Sequence, residues 1–156
     1  MLEVVLVDAD DAEIGRSDKL GAHQPPAPLH RAVSVMLTDG EGRYLLQRRA
    51  DAKYHFAGLW ANSACGHPAP GESVESAARR RLLAELGAAA GELTFQGTTT
   101  YAAHDPVSGL AEHELDHVLV GPVLGEVDPQ PEEVAETRWV AATELAAELT
   151  AHPERF

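Results

Sequence analysis

The sequence predicts a layered α+β domain of α/β/α type built on a mixed sheet. Three observations carry that expectation. β-rich runs recur along the chain, two segments with helical apolar spacing stand far apart among them, and no internal repeat or low-complexity linker interrupts the pattern. At 156 residues the chain is read as one domain over 1–156, long enough to bury a core without disulfides or metal staples.

Residues 2–8, LEVVLVD, read as a strand closed by an Asp-rich turn. The Pro-rich stretch 21–30, GAHQPPAPLH, is excluded from helix and central strand, because proline brings no amide proton to either. RAVSVMLTD, the turn GEG and RYLLQRR then form an expected hairpin over 31–49. LWANSAC, 59–65, reads as a short strand leading into GHPAPGE. Residues 72–86 are the clearest helix, with Ala77, Ala78, Leu82, Leu83 and Leu86 as its apolar stripe and Gly87 as its stop. LTFQGTTTY and HELDHVLVGPVL alternate as strands, TRWVA is another, and a last helix spans about Thr143 to Leu149.

The composition narrows the partners. Net charge is −13, with 25 acids against 12 bases, which argues against nucleic acid and anionic membrane surfaces. An anionic ligand must then be held by a few placed bases, by metal ions, or by both. The single cysteine needs no oxidising compartment, the first residues lack a signal-peptide pattern, and no apolar run reaches about 20 residues, so a cytoplasmic protein is expected. Eight histidines suggest metal or proton chemistry.

In WANSACGHPAPGE the only cysteine, Cys65, lies two residues before His67, and in an extended chain both project to one side. The same period in AEHELDHV puts Glu112 and Glu114 on one face and His113 and His117 on the other, while the Pro-rich loop adds His23 and His30. Each taken singly has an ordinary reading: a buried small thiol, surface histidines, a solvated acidic face. Together, three His and two Glu make an N/O ligand set suited to Zn²⁺ or Mn²⁺ at more than tetrahedral coordination.

From Gly66 to Ala88, the residues Gly66, Glu72, Arg80, Leu82, Glu85 and Gly87 fall in place on the Nudix box, while Arg81 and Ala84 stand where two of its glutamates belong. Nudix hydrolases use those carboxylates to hold several Mg²⁺ ions, so that clamp is not expected here. Arg81 and Glu85 share a helix face at i,i+4, which suits a diphosphate bridged by one Mg²⁺ and equally suits a surface salt bridge.

LWANSACGHPAPGE, the altered box and EHELDHV together resemble the type 1 isopentenyl-diphosphate isomerases, a branch of the Nudix superfamily, over about Lys19 to Trp139. The resemblance implies a Nudix-type fold and conversion of isopentenyl to dimethylallyl diphosphate. It implies His23, His30, His67, Glu112 and Glu114 as Zn²⁺ or Mn²⁺ ligands. Glu85, with the Cys65 backbone carbonyl, would hold Mg²⁺ against the diphosphate, and Lys19, Arg49, Lys53 and Arg81 would surround the phosphates. Cys65 and Glu114 would exchange protons with the substrate, Tyr101 would assist beside Glu114, and Trp60 would face the cationic intermediate. A small prenyl diphosphate is the implied partner of a monomer or weak homodimer. The family's aromatic C-terminal segment is expected to be absent after HPERF, and TTTYAAHDP lacks arginines that many members carry there. The rival expectations are a Nudix diphosphate hydrolase and a non-catalytic metal- or prenyl-diphosphate-binding protein.

Overall fold

A computed structural model describes residues 2–156. The chain opens with β1 (Glu3–Val7) and β2 (Glu13–Asp18), an antiparallel pair whose turn is tied by Asp8 accepting from the Asp10 and Ala12 amides. β2, EIGRSD, has too few β-branched or aromatic residues to register as a strand in sequence. Asp18 then caps a single helical turn, α1 (Lys19–Ala22), through the Gly21 amide at 2.9 Å. The excluded segment 21–30 is therefore helical at its first two residues and enters β3 (His30–Thr38) at its last. Its prolines stand at 25, 26 and 28, and their constraint reaches only themselves and the residue before.

β3 and β4 (Arg43–Arg49) are joined by the expected turn and pair antiparallel next to it, at Thr38–Tyr44 and through the Asp39 amide on the Arg43 carbonyl, but the expected hairpin does not continue beyond that point. The two strands part like a fork. Between them lie β5 (Trp60–Ala61), paired to β4, and β6 (Ala64–Gly66), paired to β3, so the single strand expected over 59–65 is two pieces on different partners. Fully buried Ser63 spans the gap: its Oγ accepts from the Leu37 amide at 2.8 Å and donates to the Leu45 carbonyl at 2.6 Å.

α2 (Val74–Leu86) starts at Ser73, whose hydroxyl accepts from the Ser76 amide, and stops at Gly87 in the left-handed region, φ 55°. Its buried face is Ala77, Ala78, Leu82, Glu85 and Leu86, so Leu83, one residue around the helix, is exposed rather than part of the stripe. This face packs on Val33, Val35, Leu45 and Ala64 as the main core. Gly66 lets α2 approach, because a Cβ there would stand 2.7 Å from Arg81 Cγ.

β7 (Ala89–Ala90), β8 (Thr94–His104) and β9 (Ala111–Leu124) follow, then β10 (Val134–Ala141), α3 (Ala142–Ala151) and a 3₁₀ turn over Pro153–Arg155. β8 and β9 form the long antiparallel hairpin, and residues 114–122 of β9 run parallel to the whole of β3. Two of these registers matter for the site: Glu114 lies directly across from His30 on one side and from Tyr101 on the other. Among the described residues no helix is long and apolar enough to cross a membrane.

Candidate active site

The fork, the start of β9 and the segments before β3 and β5 enclose a cavity of about 340 Å³. Cys65 and His67 both line it, as their shared parity predicts, and so do Glu112, Glu114 and Asp116 from one face of β9. The expected bases Lys19, Arg49, Lys53 and Arg81 all reach it, with Trp60 and Tyr101.

One wall is a cluster of imidazoles. The rings of His23, His30 and His67 stand 5.0–5.2 Å apart, and donor atoms from these three and Glu114 lie within 4.8 Å of one another. His23 Nδ1 is 2.6 Å from the Lys19 carbonyl and His30 Nδ1 is 2.9 Å from the Pro28 carbonyl, so each Nδ1 carries the proton. Both Nε2 lone pairs then point inward, buried and without a partner. Leaving two such groups unpaired is costly, and a divalent cation is the partner their chemistry fits. Burial pushes His23 down to about 4 and lowers His67 as well, which keeps both rings neutral as ligands. Glu112 stands in an adjoining group with His23 and His55.

Glu114 is the hub. His67 Nε2 is 3.0 Å and His30 Nε2 3.5 Å from Oε1, and the Tyr101 hydroxyl donates to Oε2 at 2.5 Å. Burial alone would raise this carboxyl, but its contacts with His30, His67 and Tyr101 hold it below the ordinary carboxylate range. Burial, then the neighbouring Glu114 and Glu112 charges, raise the Tyr101 hydroxyl and keep its proton. Cys65 is pushed up to about 12 by burial and then by Glu85, so it rests as a thiol.

The opposite wall joins α2 to the fork. Arg81 donates to Glu85 Oε1 from Nη2 at 2.6 Å and from Nε at 2.9 Å, and Nε also lies 3.3 Å from the Cys65 carbonyl. Gln47 donates to Glu85 Oε2 at 2.5 Å, and Glu85 is 5 % exposed. The pair is therefore no surface salt bridge. Burial, and then Arg81 and Lys53, lower Lys19, the electrostatic cost of gathering cations without an anion among them. Glu133 partly offsets it, at 2.6 Å from Lys53 Nζ and 3.7 Å from Arg81. The other box residues are structural: Glu72 takes Arg80 and the Ala69 amide, and Arg80 also donates to the His67 carbonyl. Trp60 faces the cavity with Arg138 stacked 4.7 Å from its ring, so a cation already draws on its π density.

Sequence reasoning missed three residues here. Asp116 continues the period of Glu112 and Glu114, accepts from Ser34 Oγ at 2.6 Å, and is raised to about 7 by burial and the neighbouring acids. Extending the alternation one step would have found it. His55 and Glu133 lie in irregular segments with no periodicity to follow.

Fold and site define a Nudix domain that has exchanged two box carboxylates for a thiol-bearing cavity, and the NUDIX domain model matches residues 28–156. Solved structures of like fold include a Deinococcus radiodurans protein, with TM-score 0.73 and 19% identity over 96% of this chain and 90% of its own. Another is a MutT NUDIX hydrolase from Burkholderia pseudomallei, with TM-score 0.62 and 24% identity over 74% of this chain and 85% of its own. Much nearer in sequence are proteins named isopentenyl-diphosphate Delta-isomerase. That of Nocardia farcinica is 50% identical, covering 99% of this chain and 88% of its own length. That of Streptomyces coelicolor is 51% identical over 90% and 71%, and that of Serratia proteamaculans 48% over 98% and 84%. The chain belongs to the isopentenyl-diphosphate Delta-isomerase family.

Proposed function

We propose that this protein interconverts isopentenyl and dimethylallyl diphosphate, supplying isoprenoid precursors. The reading rests on one observation above all: a half-buried thiol and a Tyr101-bonded carboxylate share one cavity with four bases. Moving the double bond requires a C–H bond to form at C4 and one to break at C2, whose electron pair closes the new C2–C3 double bond. Cys65 and Glu114 are the two groups that give and take those protons, so that one proton enters the substrate and one leaves it in each turnover. Tyr101 holds a proton beside Glu114 at 2.5 Å. An alkene is a very weak base, and the surrounding acids and enclosed walls lower the energy of the tertiary cation relative to its energy in water.

Lys19, Arg49, Lys53 and Arg81 hold the diphosphate, whose binding energy orients carbons that carry no polar handle of their own. The residues fit two metal ions. Glu85 and the Cys65 carbonyl would hold Mg²⁺, which neutralises diphosphate charge. His23, His30, His67, Glu112 and Glu114 would hold Zn²⁺ or Mn²⁺, which tunes the acidity at Glu114. We read residues 1–156 as one domain, acting in the cytoplasm as a monomer or weak homodimer on a small prenyl diphosphate.

The test is incubation with isopentenyl diphosphate and Mg²⁺ in deuterated water, followed by NMR. Deuterium should enter the new methyl group. Absence of isomerisation together with phosphate release from nucleoside diphosphates would favour the hydrolase instead. Prenyl-diphosphate binding without turnover would favour a binding protein.

A further inference from the structure

A fourth buried imidazole stands beside the cluster. His55, on the irregular segment after β4, is 6 % exposed. Its Nε2 is 3.1 Å from Glu112 Oε1, its ring centroid is 5.2 Å from that of His23, and its Nδ1 is buried with no partner. Donor atoms of His23, His55 and Glu112 lie within 4.8 Å of one another, as do those of His23, His30, His67 and Glu114. His23 thus belongs to both groups.

The peptide unit that follows this ring is held at both of its polar groups. Arg49 Nη2 donates to the His55 carbonyl at 3.0 Å, and the next amide, Phe56, donates to Asp105 at 2.9 Å. Phe56 itself sits at φ +50°, a region that a bulky residue occupies only when its surroundings impose it. A histidine on a free surface loop would need none of this.

The distances carry the point further. Two ligands, each about 2.1 Å from a shared ion, are about 3.0 Å apart at a right angle and about 3.4 Å apart at the tetrahedral angle. His67 and His30 stand 3.0 and 3.5 Å from Glu114 Oε1, and His55 stands 3.1 Å from Glu112 Oε1. All three separations have the span of a coordination edge, and the two shorter ones equally that of a hydrogen bond. Because the two groups share only His23, a single ion for all six donors requires Glu112 and His55 to swing toward the other group as it binds.

We propose that His55 is a further protein ligand of the divalent metal, adjacent to Glu112, completing a centre of four imidazoles and two carboxylates. The proposal rests on the reading of the His/Glu cluster as a metal site. Six protein donors exceed what a tetrahedral zinc accepts and select ions that tolerate octahedral geometry. His55 also fixes Glu112 on one oxygen, while Tyr101 reaches the other at 3.2 Å.

The full chain, stripped of metal, is titrated with Co²⁺ alone. Wild type should show the weak ligand-field bands of six-coordination. In His55→Gln the bands should strengthen severalfold as a ligand is lost, and affinity should fall on the order of 10–100-fold or more. Pulsed EPR of the Mn²⁺-loaded wild type should count four bound imidazoles, a measurement that needs no variant to fold. Three imidazoles, or a His55→Gln that keeps wild-type bands, overturns the proposal. Weakened binding with unchanged bands does so too, since His55 would then only position Glu112. His23→Gln separates the two readings: if it binds cobalt as tightly as wild type, the cluster is not the metal site at all.

Discussion

The two faces of β9 use similar side chains to opposite ends. On the outer face His117 places Nε2 2.9 Å from Asp11 and Nδ1 3.2 Å from the Ala32 carbonyl, while Arg31 grips Asp11 from the side. Every polar atom of His117 has a partner, and the result is a clasp that pins the β1–β2 turn to the sheet. On the inner side of the sheet His23 Nε2 and His30 Nε2, the atoms aimed into the His/Glu cluster, are buried without one. A buried polar group in a structural role closes its own hydrogen bonds; one kept for a ligand leaves them open at a cost in stability. Spacing sorts these side chains onto two faces, and polar satisfaction shows which face is kept for a ligand.

Substitutions sharpen the contrast, beginning with the largest effect. Cys65→Ala should fold normally and lose turnover by several orders of magnitude; retention of more than roughly a tenth, against the ~10²-fold or larger loss usual for an acid–base group, would make the thiol structural. Glu114→Gln should abolish turnover even with its metal bound, whereas Glu112→Gln should recover partly as metal is added. Titrating metal and activity together on both variants would expose an exchange of these roles. Glu85→Gln should raise the Mg²⁺ needed for half-maximal rate on the order of tenfold while the His/Glu metal stays in place; metal analysis finding that ion gone would merge the two sites into one.

The outer face should answer in a different currency. His117→Ala should cost about 1–3 kcal/mol of stability with kcat unchanged, read from urea midpoints and initial rates. A drop in kcat without loss of stability would erase the distinction between the faces. The smallest effect concerns Asp105, which the Ser108 hydroxyl and then the Phe56 amide pull from 3.8 down to about 2. Because the folded value lies below the unfolded one, its contribution is complete above pH about 4 and disappears as pH falls through about 2. The stability gap between wild type and Asp105→Asn should therefore shrink over that interval; a constant gap would mean that the charge on Asp105 is irrelevant to the loop.

Much of the site was legible because its residues lie on regular pieces of chain. Parity along β9 separates Glu112 and Glu114 from His113 and His117, and helical spacing brings Arg81 to Glu85. The burial of Glu85 was not legible, because it depends on Gln47 arriving from β4. His55 was invisible for the same reason: only the closure of 50–59 by Arg49 and Asp105 carries it to Glu112. The fork was lost because turn residues announce that a chain reverses, not that its two arms stay paired.

That fork has an evolutionary corollary. Between β5 and β6 stand only Asn62 and Ser63, and Ser63 is bonded to both arms. Adding or deleting one residue between Ser63 and His67 would rotate Cys65 or His67 away from the cavity, since alternation carries no slack in so short a wedge. Length variation among descendants of this sequence should therefore accumulate in exposed turns such as 40–42, where an added Cβ at Gly40 or Gly42 meets nothing within 4 Å, and be purged from 60–67. The wedge acts as a ruler, and selection on the chemistry reads it as a fixed count of residues.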